Sequence, residues 1–281
     1  MVSRRVALAL VALVVASTAA CGGHHEVPSI AVGTTPDPES TLIAHLYAAA
    51  LRSYGTAAHV ETAEDPLIEL DAGGMRVVPG LTGRFLYRFD PEATARAATQ
   101  VYRDMVSALP EGIAAGDYTT SADDKPALAV SETTAQKWGG RDVTAAVHNC
   151  DGLTVAAVVD APRPSTIGAC EPKVTELPDS AAVFDAVRSG RARAAWTTTA
   201  APGIPPELLM LSDRTSLIRA QNLVPLYRRN TLNERQVLAL NEVAGVLDTA
   251  ALAQMRAEVA DGADPGHVAD AFLAEHPLGD S

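Results

Sequence analysis

The sequence predicts an α/β fold with mainly parallel strands. Three observations carry this. Apolar runs of strand length alternate with amphipathic runs of helix length from Val27 onward. Helix-start signals recur, among them Asp37-Pro38, Asp90-Pro91 and Asp264-Pro265. Gly residues stand where several of these helical runs should stop. No internal repeat, heptad run or low-complexity tract breaks the alternation.

Val27 to Thr34 (VPSIAVGT) reads as a first buried strand. Asp37-Pro38-Glu39 then opens a helix, with Asp as N-cap, Pro in the first turn and Glu at the positive end of the dipole. Leu42, Ile43, Leu46, Ala50 and Leu51 form its apolar face, and Gly55 ends it. His59 to Thr62 suits a second strand, Pro66 to Ala72 a short helix, and Met75 to Val78 a third strand. Pro79-Gly80-Leu81-Thr82-Gly83 leads into a helix through Phe85 and Tyr87. Asp90-Pro91-Glu92 repeats the helix-start signal, and that helix is expected to run to about Leu109.

A second unit begins near Tyr118. Ala127 to Val130 reads as a strand, and Ser131 to Trp138 as a helix ended by Gly139-Gly140. Arg141 to Pro178 reads as irregular, apart from a strand over Val155 to Val159. Ser180 to Arg188 is helical, Ala192 to Thr199 a strand, and Leu208 to Leu211 another. Three helices close the chain. The first starts at a capping box, Thr231-Leu232-Asn233-Glu234. The second covers Ala250 to Val259, and the third starts at Asp264-Pro265.

The N-terminus sets the compartment. Arg4 and Arg5 precede an uncharged apolar run, Val6 to Ala20. As a helix it would span about 22 Å, short of the roughly 30 Å hydrocarbon core. That suits a signal-peptide core. Thr18-Ala19-Ala20-Cys21 then resembles a bacterial lipobox, in which cleavage leaves a lipidated Cys21 as the new N-terminus. A plain secretory signal with an incidental Cys is the alternative. Residues 1–20 are therefore read as signal and 21–27 as a lipidated tether, with the folded part held at the outer face of the cell membrane.

The whole chain carries a net charge of −12, and removing the signal makes it −14. No basic patch stands out, which argues against nucleic acid as a partner. So acidic a surface does not adhere to anionic lipid, and the lipid must do the anchoring. Beyond Cys21 only Cys150 and Cys170 remain. In an exported chain they suit a disulfide, two buried thiols being the other reading. His24 and His25 read as a solvated linker, weak metal binding being the other reading, and His45, His59, His148, His267 and His276 show no i, i+4 ligand pairing, so no metal site is expected.

Three stretches resemble the substrate-binding lipoproteins of ABC importers for glycine betaine, choline and related osmoprotectants. They are Glu39-Ser40-Thr41-Leu42-Ile43 with Leu46-Tyr47; Val78-Pro79-Gly80-Leu81-Thr82-Gly83; and a C-terminal series from Leu211-Ser212-Asp213 through Asn222-Leu223-Val224-Pro225, Leu240-Asn241 and Asp264-Pro265 to Phe272-Leu273. The resemblance implies a two-lobed, type II periplasmic-binding-protein clamshell with two crossover strands. Lobe 1 would take residues 28–117 and 205–281, and lobe 2 residues 118–204. It also implies a small solute held between the lobes, a membrane permease as partner, a monomer, and no cofactor. In an open α/β sheet the loops after Val32, Val78 and Trp196 are the places to look for a site.

The family holds a quaternary ammonium in a cage of aromatic rings, because a methylated cation has no N–H to donate and ring faces must stabilise it. Here the ring positions are eroded. Leu81 stands where the family has Tyr, Arg84 where it has Thr, and Gln221 near another Tyr position. Trp196 and Tyr118 are the rings that remain. The expected ligand-binding set is Ser40, Leu81, Thr82, Tyr118, Trp196, Thr199 and Gln221, suited to a small polar solute. Each has a plainer reading: Trp196 as core, Thr197 to Thr199 as strand-formers, Thr82-Gly83 as a helix cap, Gln221 and Asn222 as loop residues. Arg84 reads as a solvated helix charge or as a partner for an acidic ligand group.

No G-x-S-x-G, H-E-x-x-H, phosphate loop or dinucleotide fingerprint occurs, so the chain is not expected to be an enzyme. A binding module is the leading reading. A sensor or envelope-partner module that has lost import comes next, and an exported hydrolase after it.

Overall fold

Two five-stranded sheets, joined by two chain crossings, organise residues 29–279, which are those the computed structural model describes. The expected signal peptide, the expected lipidation of Cys21 and the expected tether at 21–27 lie outside the described residues.

The first half runs β1 (Ile30–Thr34), α1 (Pro38–Ser53), β2 (Ala58–Thr62), α2 (Pro66–Ala72), β3 (Val77–Leu81), α3 (Thr82–Phe89), α4 (Ala98–Ser107) and β4 (Ile113–Ala115). The chain then crosses to β5 (Pro126–Ser131), α5 (Glu132–Trp138), α6 (Val143–His148), β6 (Thr154–Val158), β7 (Lys173–Leu177), α7 (Ser180–Arg188), β8 (Ala194–Thr198) and β9 (Leu208–Met210). It returns through β10 (Leu223–Arg228) and ends in α8 (Glu234–Val246), α9 (Thr249–Ala260) and α10 (Pro265–Glu275).

Strand order is β2-β1-β3-β10-β4 in one sheet and β7-β6-β8-β5-β9 in the other. Both are mixed rather than mainly parallel. In each, the strand that has just come through a crossing enters against its neighbours: β10 is antiparallel to β3 and β4, and β5 to β8 and β9. The remaining pairings, β1 with β2 and β3 and β6 with β7 and β8, are parallel.

Helix α1 anchors the first core. Asp37 caps it by accepting the Ser40 N–H at 2.8 Å, as the Asp-Pro-Glu signal implies. Its residues Leu42–Ala44 and Leu46–Leu51 are all buried, because β1 and β2 lie on one side and α8, α9 and α10 on the other. A second core, around Leu128, Val155, Trp196 and Ile218, lies on the other sheet. Cys150 and Cys170 are joined in a disulfide that closes a 20-residue loop over its edge.

Three further expectations need correction. The helix read from Asp90 starts only at Ala98. The Asp90 N–H donates to Leu86 O at 2.8 Å to finish α3, so its carboxylate is left to cap a turn at Glu92. The stretch 141–178 is not irregular: it holds α6, capped by Asp142, and β7, an exposed edge strand whose KVTEL sequence carries no apolar signal. The capping box of α8 is Asn233 with Gln236, two residues beyond the one expected at Thr231. Strand β10 contains Pro225, a residue that central strands usually exclude. Pro225 faces Pro79 across the β3 pairing and turns its carbonyl to the β4 side, where the Gly116 N–H donates at 2.9 Å. The missing N–H therefore costs no bond to β3.

Candidate functional site

The two crossings between the sheets run side by side and bridge at Asp123 and Asn222. Asn222 Nδ2 donates to Thr119 O at 2.8 Å and to Ala122 O at 3.0 Å, tying the returning strand to the outgoing one. Lys125 Nζ lies 3.6 Å from Asp123 and 3.7 Å from Asp213. The Asp213 carboxylate in turn accepts the Leu217 and Ile218 N–H groups, both at 2.9 Å. Burial raises the Asp123 pKa against the opposing pull of Lys125 and of the Gln221 and Lys125 N–H groups. This hydrogen-bonded strip forms the floor of the gap between the sheets.

The start of α3 abuts the same strip. Its N-cap residue, Leu81, has no side-chain acceptor to offer. Gln221 supplies one instead: its Oε1 accepts the Arg84 N–H at 3.0 Å. Asn222 O accepts the Thr82 N–H at 2.9 Å, and Thr82 Oγ1 accepts the Asn222 N–H at 3.2 Å. Gly83 sits so close that an added Cβ would lie 2.5 Å from Ala220 O and 2.9 Å from the Gln221 amide. These N–H groups of the α3 start are therefore spent on the crossing and not open to a ligand carboxylate.

Two cavities meet at Arg84. The smaller, about 320 Å³, lies at the C-terminal ends of β1 and β3 and is lined by Thr34, Thr35, Ser40, Leu81, Phe85 and Arg256 among others. The larger, about 710 Å³, lies between the sheets. Its walls come from α3 and the segment after it, from the loop Pro162–Thr166 and Thr198 of the other sheet, and from Leu217–Arg219 and Gln221 of the returning crossing. At the base, Arg256 of α9 is 4% exposed and reaches Asp124, whose side chain is fully buried: Nη2 donates to Oδ2 at 2.9 Å and Nη1 lies 2.6 Å from Oδ1. Burial works against the Arg256 charge, but Asp124, with Glu39 and Asp37 beyond it, raises its pKa overall.

The expected site residues do not converge on one point. Ser40 and Leu81 line the smaller cavity, and Gln221 the larger. Thr82 is buried in its bond to Asn222. Thr199 donates its hydroxyl to Asp123 O at 2.5 Å and its N–H to Lys125 O at 3.0 Å, fastening β8 to the outgoing crossing, while its neighbour Thr198 faces the cavity. Trp196 is 6% exposed within the second core and lines neither cavity. Tyr118 packs on Tyr102, ring centroids 4.6 Å apart, over a separate hollow beside Asn241 and Gly245. Among the described residues no cluster of His, Cys, Asp or Glu is placed to hold a metal.

Residues that sequence reasoning passed over line the gap. Arg96, Arg163 and Arg219 join Arg84 in the larger cavity, with Asp124 below. Arg256 carried a usable signal: it lies among Leu252, Met255 and Val259 at helical spacing, so its charge had to be buried and paired. Arg96 and Arg219 carried none, because only the fold brings their segments together.

The profile of OpuAC, the substrate binding domain of an ABC-type glycine betaine transport system, matches residues 168–275. No curated protein matches the sequence. Among solved structures the chain is similar to a glycine betaine/carnitine/choline ABC transporter protein at 15% identity and TM-score 0.74, over 88% of this chain and 98% of that one. It is similar to apo YehZ from Escherichia coli at 19% identity and TM-score 0.69, over 89% and 99% of the two chains. It is also similar to an ABC-transporter choline binding protein in complex with choline, at 16% identity and TM-score 0.54, over 89% of each. The resemblance read from the sequence is thus found again over the C-terminal part, and the α/β fold of the type II binding proteins is established.

Proposed function

We propose that this chain is an extracytoplasmic solute-binding protein of an ABC-type importer, anchored to the membrane by a lipid on Cys21. One lobe would be residues 28–117 with 205–281, the other 118–204, and the gap between them traps a small polar solute without altering it. The observation that carries this reading is the 710 Å³ cavity, which draws its walls from both sheets and its floor from the two crossings. A space of that kind opens and closes when the lobes turn about the crossings. The match of residues 168–275 to a substrate-binding profile supports the same reading.

A ligand bound only to the folded state raises stability by RT ln(1 + [L]/Kd). A thermal-shift panel of glycine betaine, choline, carnitine, proline, polyamines, sugars and small organic acids should give at least one stabilising solute. Small-angle scattering should then show compaction with that solute. Proven binding with an unchanged radius would sink the two-lobe closure, and an envelope protein captured in place of any solute would favour the partner-module reading. For the anchor, Cys21→Ser should move the protein from the membrane fraction to the soluble one.

A further inference from the structure

The charge around the gap is opposite in sign to that of the chain. The protein is acidic overall, at −12, yet four arginines line the larger cavity against one carboxylate, Asp124, which Arg256 already neutralises. Arg163 is paired with Glu176. Among the described residues, Arg84, Arg96 and Arg219 have no carboxylate within 4.0 Å.

Hydrogen bonds to the backbone hold these three together. Ala220 N–H donates to Arg96 O at 2.9 Å, and Arg219 Nε donates to Ala95 O at 3.0 Å, pinning the crossing to the segment before α4. On the other side Gln221 holds the Arg84 N–H. Three guanidinium groups without a carboxylate partner thus line one space; Arg219 spends its Nε and Nη2 on the Ala95 and Ala93 carbonyls, so the forks of Arg84 and Arg96 are the ones left for a ligand. The Arg219 pKa is lowered, first by burial and next by the neighbouring positive charge of Arg96, with Asp90 opposing. Tyr87 is the one aromatic ring among the residues lining this cavity, which leaves a methylated cation little ring surface and three positive charges to face.

We propose that the solute held here is an anion bearing a carboxylate or phosphate group, and that a quaternary ammonium cation is excluded. The proposal rests on the solute-binding reading above. Guanidinium forks suit oxyanions because they offer two parallel N–H donors to two oxygens.

The test is isothermal calorimetry and thermal shift on the full mature chain with inorganic phosphate, succinate and choline chloride at matched ionic strength. Phosphate or succinate should bind and choline should not; which of the two binds more tightly separates a phosphate ligand from a carboxylate one. Arg84→Gln and Arg96→Gln should each weaken the anion on the order of ten- to a hundredfold. Both side chains are exposed, so folding should survive. Arg84→Lys should keep part of the affinity. Arg96→Gln should also raise the melting temperature without ligand, by relieving the repulsion on Arg219, a readout that a merely structural role would not give. Choline binding unaffected by these changes, with the anions silent, overturns the anion proposal and leaves solute binding standing. Silence from all three probes overturns the anion proposal, and if the wider panel also yields no solute the solute-binding reading falls with it.

Discussion

Gln221 Oε1 accepts the backbone N–H of Arg84 at 3.0 Å across 137 residues of sequence, and so caps a helix it does not belong to. Capping is usually local: Asp37, Asp142, Asp179, Asp248 and Asp264 each serve the helix they precede. At α3 the cap comes from the crossing instead, so this bond, with the reciprocal pair between Thr82 and Asn222, ties the helix start to the path between the sheets. Gln221→Ala should cost about 1 kcal/mol of stability, the value of a lost cap. Gly83→Ala should cost more, about 1–3 kcal/mol, because its Cβ meets a backbone carbonyl that cannot yield. Urea unfolding of both variants checks this, and equal stability of Gly83→Ala and wild type would contradict the close approach.

Arg256 and Asp124 make the ion pair at the base of the site, and both are buried. Removing one partner leaves a buried charge uncompensated, for which about 3–5 kcal/mol is expected. Asp124→Ala and Arg256→Met should each fall in that range, and the double variant should lose clearly less than the sum. Additive losses in a double-mutant cycle would show that the two side chains act independently.

The Cys150–Cys170 disulfide stabilises the part of the chain packed on the second sheet. Its loop of 20 residues predicts about 3 kcal/mol of stabilisation in the chain-entropy model. Cys150→Ser with Cys170→Ser, or reduction of the wild type, should lower the urea midpoint correspondingly. No change on reduction would mean that the loop is already confined in the unfolded chain.

What the sequence makes legible follows from how local the signal is. The helix caps at Asp37 and Asp264 were readable because cap, first turn and apolar face lie within a dozen residues. Strand β7 was not, because an exposed edge strand has no apolar period to show. Strand β10 was obscured by Pro225, whose harmlessness depends on Pro79, far away in sequence. The site divides in the same way. Ser40 and Leu81 were nominated from motifs beside strand ends and do line a cavity. Trp196 is read from its likeness to an aromatic strand motif and Tyr118 from its position near the expected junction, and neither signal says which face of a strand or loop a side chain takes. Arg84 is legible only as a possible partner for an acidic group, and Arg96 and Arg219 not at all, since the three become neighbours only through hydrogen bonds between separate segments.

Asp37 supplies a pH test that reaches the same cluster. Burial opposes its ionisation, but the Thr35 hydroxyl at 2.6 Å, the Ser40 N–H at 2.8 Å and the Arg84 charge together lower its pKa. A carboxyl lowered in the folded state stabilises above its unfolded pKa of about 3.9, and that contribution is lost as pH falls through the lower folded value. Asp37→Asn keeps a capping oxygen and removes the titration. Wild type should therefore exceed Asp37→Asn at pH 7 by only about 0.5 kcal/mol, solvent screening being strong at so exposed a group. The gap should close as the pH drops below about 4. Because Arg84 contributes to the lowering, Arg84→Gln should move that closure to higher pH. Urea midpoints of the three proteins between pH 7 and pH 3 decide it: a gap that persists undiminished to pH 3 would mean that the Asp37 charge does not contribute to the cap.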